Sequence, residues 1–199
     1  MEANEGSTGA RIGMWLVLLS EILLFGGLFL LYAVYRFKNP EAFHSASLEL
    51  SRLDGTLNTA ILLTSSLTVA LAIFSLREAR KARRAIVLLA ATIALGCAFL
   101  VVKGFEWAEK FQHGLYPNSA VLLARGPGEV LYFGLYFSMT GLHALHVVVG
   151  ISVLSAMLFL LGKGRVNPER SAGMENAGLY WHLVDIVWIF LFPLFYLIS

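Results

Sequence analysis

"GLYWHLVDIVWIFLFPLFYLIS", residues 178–199, decides how the rest of the chain is read. A helix needs about 20 mainly apolar residues to cross a bilayer, and this stretch is long enough. Yet its first half carries His182, Asp185 and two tryptophans, Trp181 and Trp188. At 100° per residue, Trp181, Asp185 and Trp188 fall on one stripe, with His182 on its shoulder. A carboxylate in a bilayer costs roughly 2.5–3.5 kcal/mol on insertion scales. The stripe is therefore expected to face protein, with a hydrogen-bond donor near Asp185: a neighbouring indole N–H, a histidine or a ligand. Such a segment belongs in a bundle of membrane helices.

Composition agrees. The 199 residues are 58% hydrophobic and 14% charged, with mean hydropathy +0.73. A soluble domain of this length needs more polar surface. Five apolar stretches have spanning length, at about 12–35, 57–76, 85–107, 130–161 and 177–198. The expected fold is all-α and integral to the membrane, a five-transmembrane-helix bundle forming one membrane domain over residues 1–199. Short connections carry turn chemistry at Asn39-Pro40, Tyr116-Pro117-Asn118, Gly126-Pro127-Gly128 and Asn167-Pro168. Glu21 interrupts the first apolar run, which is also too long for a cleavable signal and reads as a retained span.

Lysine and arginine asymmetry sets the expected direction. Arg11, Arg77, Arg80, Lys81, Arg83, Arg84, Lys163, Arg165 and Arg170 fall on one side. Arg36, Lys38, Arg52, Lys110 and Arg125 fall on the other. The cluster "REARKARR" decides it, placing the amino terminus in the cytoplasm and the carboxyl terminus outside. These basic residues sit in short loops, so the net charge of +2 does not point to nucleic acid. Cys97 has no partner for an internal disulfide, and no CxxCH motif offers covalent haem attachment.

The candidate site residues are polar groups hidden in the spans. Glu21 lies ten residues past Arg11, roughly 15 Å along a helix, with no basic neighbour in its own span. His143 and His146, one turn apart, form a second polar strip, and Lys103 with Glu106 forms a pair near the outer end of the third span. Threonines and serines in "LNTAILLTSSLTVAL" read as packing residues, as do Gly26, Gly27, Gly134, Gly141 and Gly150. A proton or ion pathway needs ionisable groups strung across the membrane. Glu21 and Asp185 sit at similar depth, far from Lys103 and Glu106, so the ladder is broken. Bis-histidine haem would need His182 with His143 or His146 on facing helices, which spacing alone leaves open. A metal site drawn from His143, His146, His182 and Asp185 matches no established motif. Spacing and composition favour a structural or docking membrane subunit.

Taken together, "SEILLFGGLF", "LNTAILLTSS", "FEWAEK", "YFSMTGLHALHVVVG" and "YWHLVDIVWIFLF" resemble motifs of subunit III of the haem–copper oxidases, in its five-helix form. The resemblance runs over nearly the whole chain. It implies a non-catalytic subunit with no cofactor or metal of its own, packed beside a catalytic subunit I that holds haem and copper, with subunit II in the complex. It implies support of that partner and of proton uptake during oxygen reduction by cytochrome c or quinol, in a bacterial plasma membrane. On this resemblance, Glu21 is the intramembrane glutamate, His143 and His146 the histidine pair, His182 and Asp185 the histidine–aspartate patch, and Glu106 the glutamate preceding an aromatic. Arg80, Lys81, Arg83 and Arg84 are then candidate contacts for phospholipid headgroups. The mitochondrial type has two further helices at its start, and Lys103 stands where a neutral amide is more usual. The chain is also similar to the subunit-III-like accessory protein of nitric oxide reductases. A small stand-alone transporter is the reading from another class.

Overall fold

The computed structural model describes residues 2–168 and 171–197, with side chains from Ile12 onward. Arg170, Ile198 and the side chain of Arg11, which figured in the expected direction and span ends, lie outside the described residues. Seven α-helices follow in order: α1 Glu2–Lys38, α2 Pro40–Ser47, α3 Arg52–Arg77, α4 Ala82–Gln112, α5 Ala120–Arg125, α6 Pro127–Gly162 and α7 Ala172–Phe192. A π turn, Pro193–Leu197, continues α7. There is no strand among the described residues. Among the described residues five stretches are long and apolar enough to span a membrane: Ile12–Lys38, Arg52–Arg77, Ala82–Gln112, Pro127–Gly162 and Ala172–Leu197. The chain is an all-α multi-pass membrane bundle.

The helices run past their apolar windows because polar residues can start and stop them. Ser51 caps α3 by accepting from the Asp54 N–H at 3.3 Å, a use of serine that ties up one orphan donor of the first turn. Pro127 opens α6 after Gly126, whose φ of +108° suits a residue without Cβ. Asn39-Pro40 does more than turn the chain. Pro40 occupies the first turn of α2, where its missing N–H costs nothing. Both α2 and α5 escape a search for spans, being only 8 and 6 residues long.

Helices α3, α4, α6 and α7 make the core, with α3 packed along α4 and α7 against both α3 and α6. Helix α1 lies at the edge. It buries a seam of Leu18, Phe25 and Tyr32 at seven-residue intervals, while Trp15, Leu16, Leu23, Leu30 and Phe37 stay exposed. Such a narrow seam suits a helix inclined at a shallow angle to its neighbours. Arg77, ending α3, pairs with Glu175 in the first turn of α7 at 2.9 Å. Both ends are part exposed, so Arg77→Ala is expected to change stability by no more than about 1 kcal/mol in thermal unfolding. At the opposite side, Arg125 reaches Glu49 at 2.8 Å and Glu129 at 3.4 Å, tying the α2–α3 connection to α5 and α6.

The glycines divide. Gly26, Gly27 and Gly134 were expected at close helix contacts, but a Cβ at any of them meets nothing within 4 Å. Spacing cannot tell a glycine facing a neighbour from one facing away. Gly150 does serve a close approach: a Cβ there would lie 2.7 Å from the Trp181 ring, and one at Gly96 would also lie 2.7 Å from it. Trp181 is clasped between these two backbones. Gly141 faces Trp107 more loosely, at 3.2 Å.

Candidate functional site

The polar groups hidden in the spans form three clusters. The first joins α3 to α7. Trp181 donates its indole N–H to Ser65 Oγ and Trp188 donates to Thr59 Oγ1, both at 3.0 Å. Ser65 and Thr59 donate in turn to carbonyls of their own helix, Leu62 O at 2.7 Å and Gly55 O at 2.8 Å. A hydroxyl is both donor and acceptor, which is why these residues suit a buried helix interface. Ser66 Oγ lies 2.7 Å from Nδ1 of half-buried His182.

Asp185 is 3% exposed, so the stripe does face protein. The donor expected for it is not an indole, however, because α3 hydroxyls hold both indole N–H groups. Ser66 is a neighbour of Asp185, but its hydroxyl engages His182, and neither carboxyl oxygen has a hydrogen-bond partner among the described residues.

The second cluster lies between α1 and α6. Glu21 Oε2 is 2.8 Å from His146 Nε2, an ion-pair distance without an aligned hydrogen bond at that oxygen. His146 Nδ1 is 2.7 Å from Leu142 O, so that nitrogen carries the proton and Nε2 faces the carboxyl group. His143, one turn earlier, takes another path. It is fully buried, with ring centroids of Phe99 and Trp188 at 5.5 and 5.2 Å. The two histidines therefore do not form one strip.

The third cluster is the most completely bonded. Lys103 Nζ donates to Glu106 Oε2 at 3.1 Å, to Tyr136 OH at 3.0 Å and to Tyr196 OH at 2.5 Å. Those three bonds use every N–H of an ammonium group. Tyr136 and Tyr196 donate to Glu106 Oε1 at 2.5 and 2.6 Å. The side chains of Lys103 and Glu106 are 4% and 0% exposed, so this ion pair has almost no help from solvent. It ties α4 to α6 and to the π turn. Two more tyrosines fasten the same turn: Tyr32 of α1 donates to Leu194 O at 2.5 Å and Tyr132 of α6 to Phe195 O at 3.0 Å. A helix end leaves carbonyls without intrahelical partners, and phenols supply them here.

Sequence reasoning found Lys103 and Glu106 but missed Tyr136, Tyr196 and the fully buried Asn58. Tyrosines well inside an apolar run were the available signal, since a buried phenol needs a partner. Arg80, Lys81, Arg83 and Arg84 are exposed at the α3–α4 connection. Among the described residues no group of three or more His, Cys, Asp and Glu side chains could hold a metal ion. His143, His146 and His182 each have different neighbours: an aromatic sandwich, Glu21 and Ser66. Chemically these clusters fasten helices to one another through buried hydrogen bonds and a buried ion pair.

The chain resembles a set of respiratory proteins along its length. It is 33% identical to cytochrome c oxidase subunit 3 of Gallus gallus, over 94% of this chain and 69% of that protein. It is 28% identical to cytochrome bo(3) ubiquinol oxidase subunit 3 of Pseudomonas putida, over 94% of this chain and 85% of that protein. A heme-copper oxidase subunit I+III of Aeropyrum pernix is 33% identical over 94% of this chain, which spans 22% of that longer protein. The family model for cytochrome c oxidase subunit III matches residues 2–199. With five spans, polar clusters that fasten helices and a family match from end to end, the chain belongs to the cytochrome c oxidase subunit III family.

Proposed function

We propose that this chain is the accessory subunit III of a haem–copper respiratory oxidase, integral to a bacterial plasma membrane. The family match across residues 2–199 carries that reading. The chain contributes no catalytic side chain and no cofactor ligand. Its partner is subunit I, which holds haem and copper and reduces oxygen, with subunit II completing the complex. The fused relative named subunit I+III supports the pairing with subunit I. Relatives named for cytochrome c oxidase and for ubiquinol oxidase leave both donors in view. The nitric oxide reductase accessory protein and the stand-alone transporter are not favoured, since the matched family is that of an oxidase subunit.

Within this reading the amino terminus is cytoplasmic, following the basic cluster around Arg80, Lys81, Arg83 and Arg84, whose exposed side chains contact phospholipid headgroups. Glu21, His143, His146, His182 and Asp185 hold the bundle's shape beside subunit I and support proton uptake, while Lys103 and Glu106 secure the outer side. Purification in mild detergent tests the assignment. The largest co-purifying protein is expected to carry haem and copper, and the complex to consume oxygen. This chain isolated alone with stoichiometric haem or copper, or in a complex that reduces nitric oxide, overturns it. Glu21→Gln is expected to leave the complex assembled but to shorten its working lifetime or shift the pH dependence of oxygen consumption. Unchanged turnover, lifetime and pH profile would remove any special role for that carboxyl group.

A further inference from the structure

Trp188 is the meeting point of four polar side chains, one from each core helix. Its ring packs against His143 of α6 at 5.2 Å, and Lys103 Nζ of α4 stands 5.2 Å from its centroid. Its indole N–H bonds Thr59 of α3, the residue after Asn58. Asp185 precedes it by one turn of α7. Asn58 and His143 are fully buried and Asp185 is 3% exposed. None of the six polar side-chain atoms of these three residues has a hydrogen-bond partner among the described residues.

Their protein neighbours are engaged elsewhere, the Ser66 hydroxyl beside Asp185 with His182. All three N–H groups of Lys103 are engaged, both indole N–H groups are bonded to α3 hydroxyls, and aromatic rings flank His143. Bare polar atoms in an interior are costly, and native proteins meet such needs with protein groups or ordered water. A metal ion does not fit, because the described residues offer no cluster of three metal-ligating side chains here. We propose that ordered water is bound inside the α3–α4–α6–α7 core, bridging Asn58, His143 and Asp185. It donates to Asp185 and to Asn58 Oδ1, and accepts from the Asn58 amide and the protonated nitrogen of His143. It binds whether or not the chain sits in an oxidase, so its test is independent of that assignment.

A density map of the intact complex, at a resolution that shows individual waters, is the direct experiment. Peaks about 2.6–3.2 Å from polar atoms of at least two of the three residues are expected. Thermal unfolding of Asn58→Leu, His143→Leu and the double variant gives an independent readout. Each single change is expected to lower Tm, and the double by less than the sum, because each strands the remaining partners of the same water. A map with only carbon against those atoms, or single changes that hold or raise Tm, overturns the proposal. Should a variant fail to fold, the wild-type map decides alone.

Discussion

Lys103→Met is expected to destabilise the chain by about 3–5 kcal/mol, the usual cost of removing one partner from a buried ion pair. The variant keeps the volume of the side chain and removes its charge, leaving Glu106 as a carboxylate with 0% side-chain exposure and only the two phenols for company. The π turn then loses the Lys103 bond to Tyr196 and keeps only the Tyr196 bond to Glu106 as a hydrogen bond to that pair. Thermal unfolding in detergent should show a large fall in Tm, and yield in the membrane should drop. Adding Glu106→Gln to Lys103→Met should recover much of the loss, since a neutral amide still accepts from a tyrosine and no unpaired charge remains. A Lys103→Met protein as stable as the parent would mean that Glu106 is already neutral and that the ammonium group contributes little.

Gly150→Val is the second change with a large effect. A Cβ at Gly150 would stand 2.7 and 2.9 Å from two carbons of the Trp181 indole, and one at Gly96 would stand 2.7 Å from a third. Trp181 also bonds Ser65, so it cannot slide aside without breaking that contact. Overpacking costs typically about 1–3 kcal/mol and more where the neighbour is pinned, so the upper end is expected here. Gly134→Ala is the matched control on the same helix, because a Cβ there meets nothing within 4 Å. It should be neutral or raise stability by up to about 1 kcal/mol through helix propensity alone. Equal Tm values for the two variants would show that α4 and α6 do not close upon Trp181.

The contrast between those glycines shows what the sequence holds and what it withholds. Hydropathy reveals five spans because bilayer thickness acts on each helix separately. Facing is legible where a costly group forces it, as Asp185 does for the stripe with Trp181 and Trp188. Where no such group is present, as at Gly26, Gly27 and Gly134, spacing is silent about direction. Partners from distant helices are the hardest part. Lys103 and Glu106 are neighbours by spacing, but Tyr136 and Tyr196 reach them only through the packing of α6 and of the π turn that continues α7. Likewise, Glu21 and His146 lie 125 positions apart by numbering, and nothing local to either announces the other. The short helices α2 and α5 stay hidden because their apolar faces are too brief to give a period.

The π turn that follows α7 has a consequence for biogenesis. Its fasteners come from α1, α4 and α6 as well as from its own Tyr196. An insertion intermediate with four spans in the bilayer therefore holds Lys103 and Glu106 with Tyr136 but without Tyr196, and Tyr32 and Tyr132 without their carbonyls. Such a half-built bundle leaves these polar groups short of partners, and arrival of the fifth span supplies them.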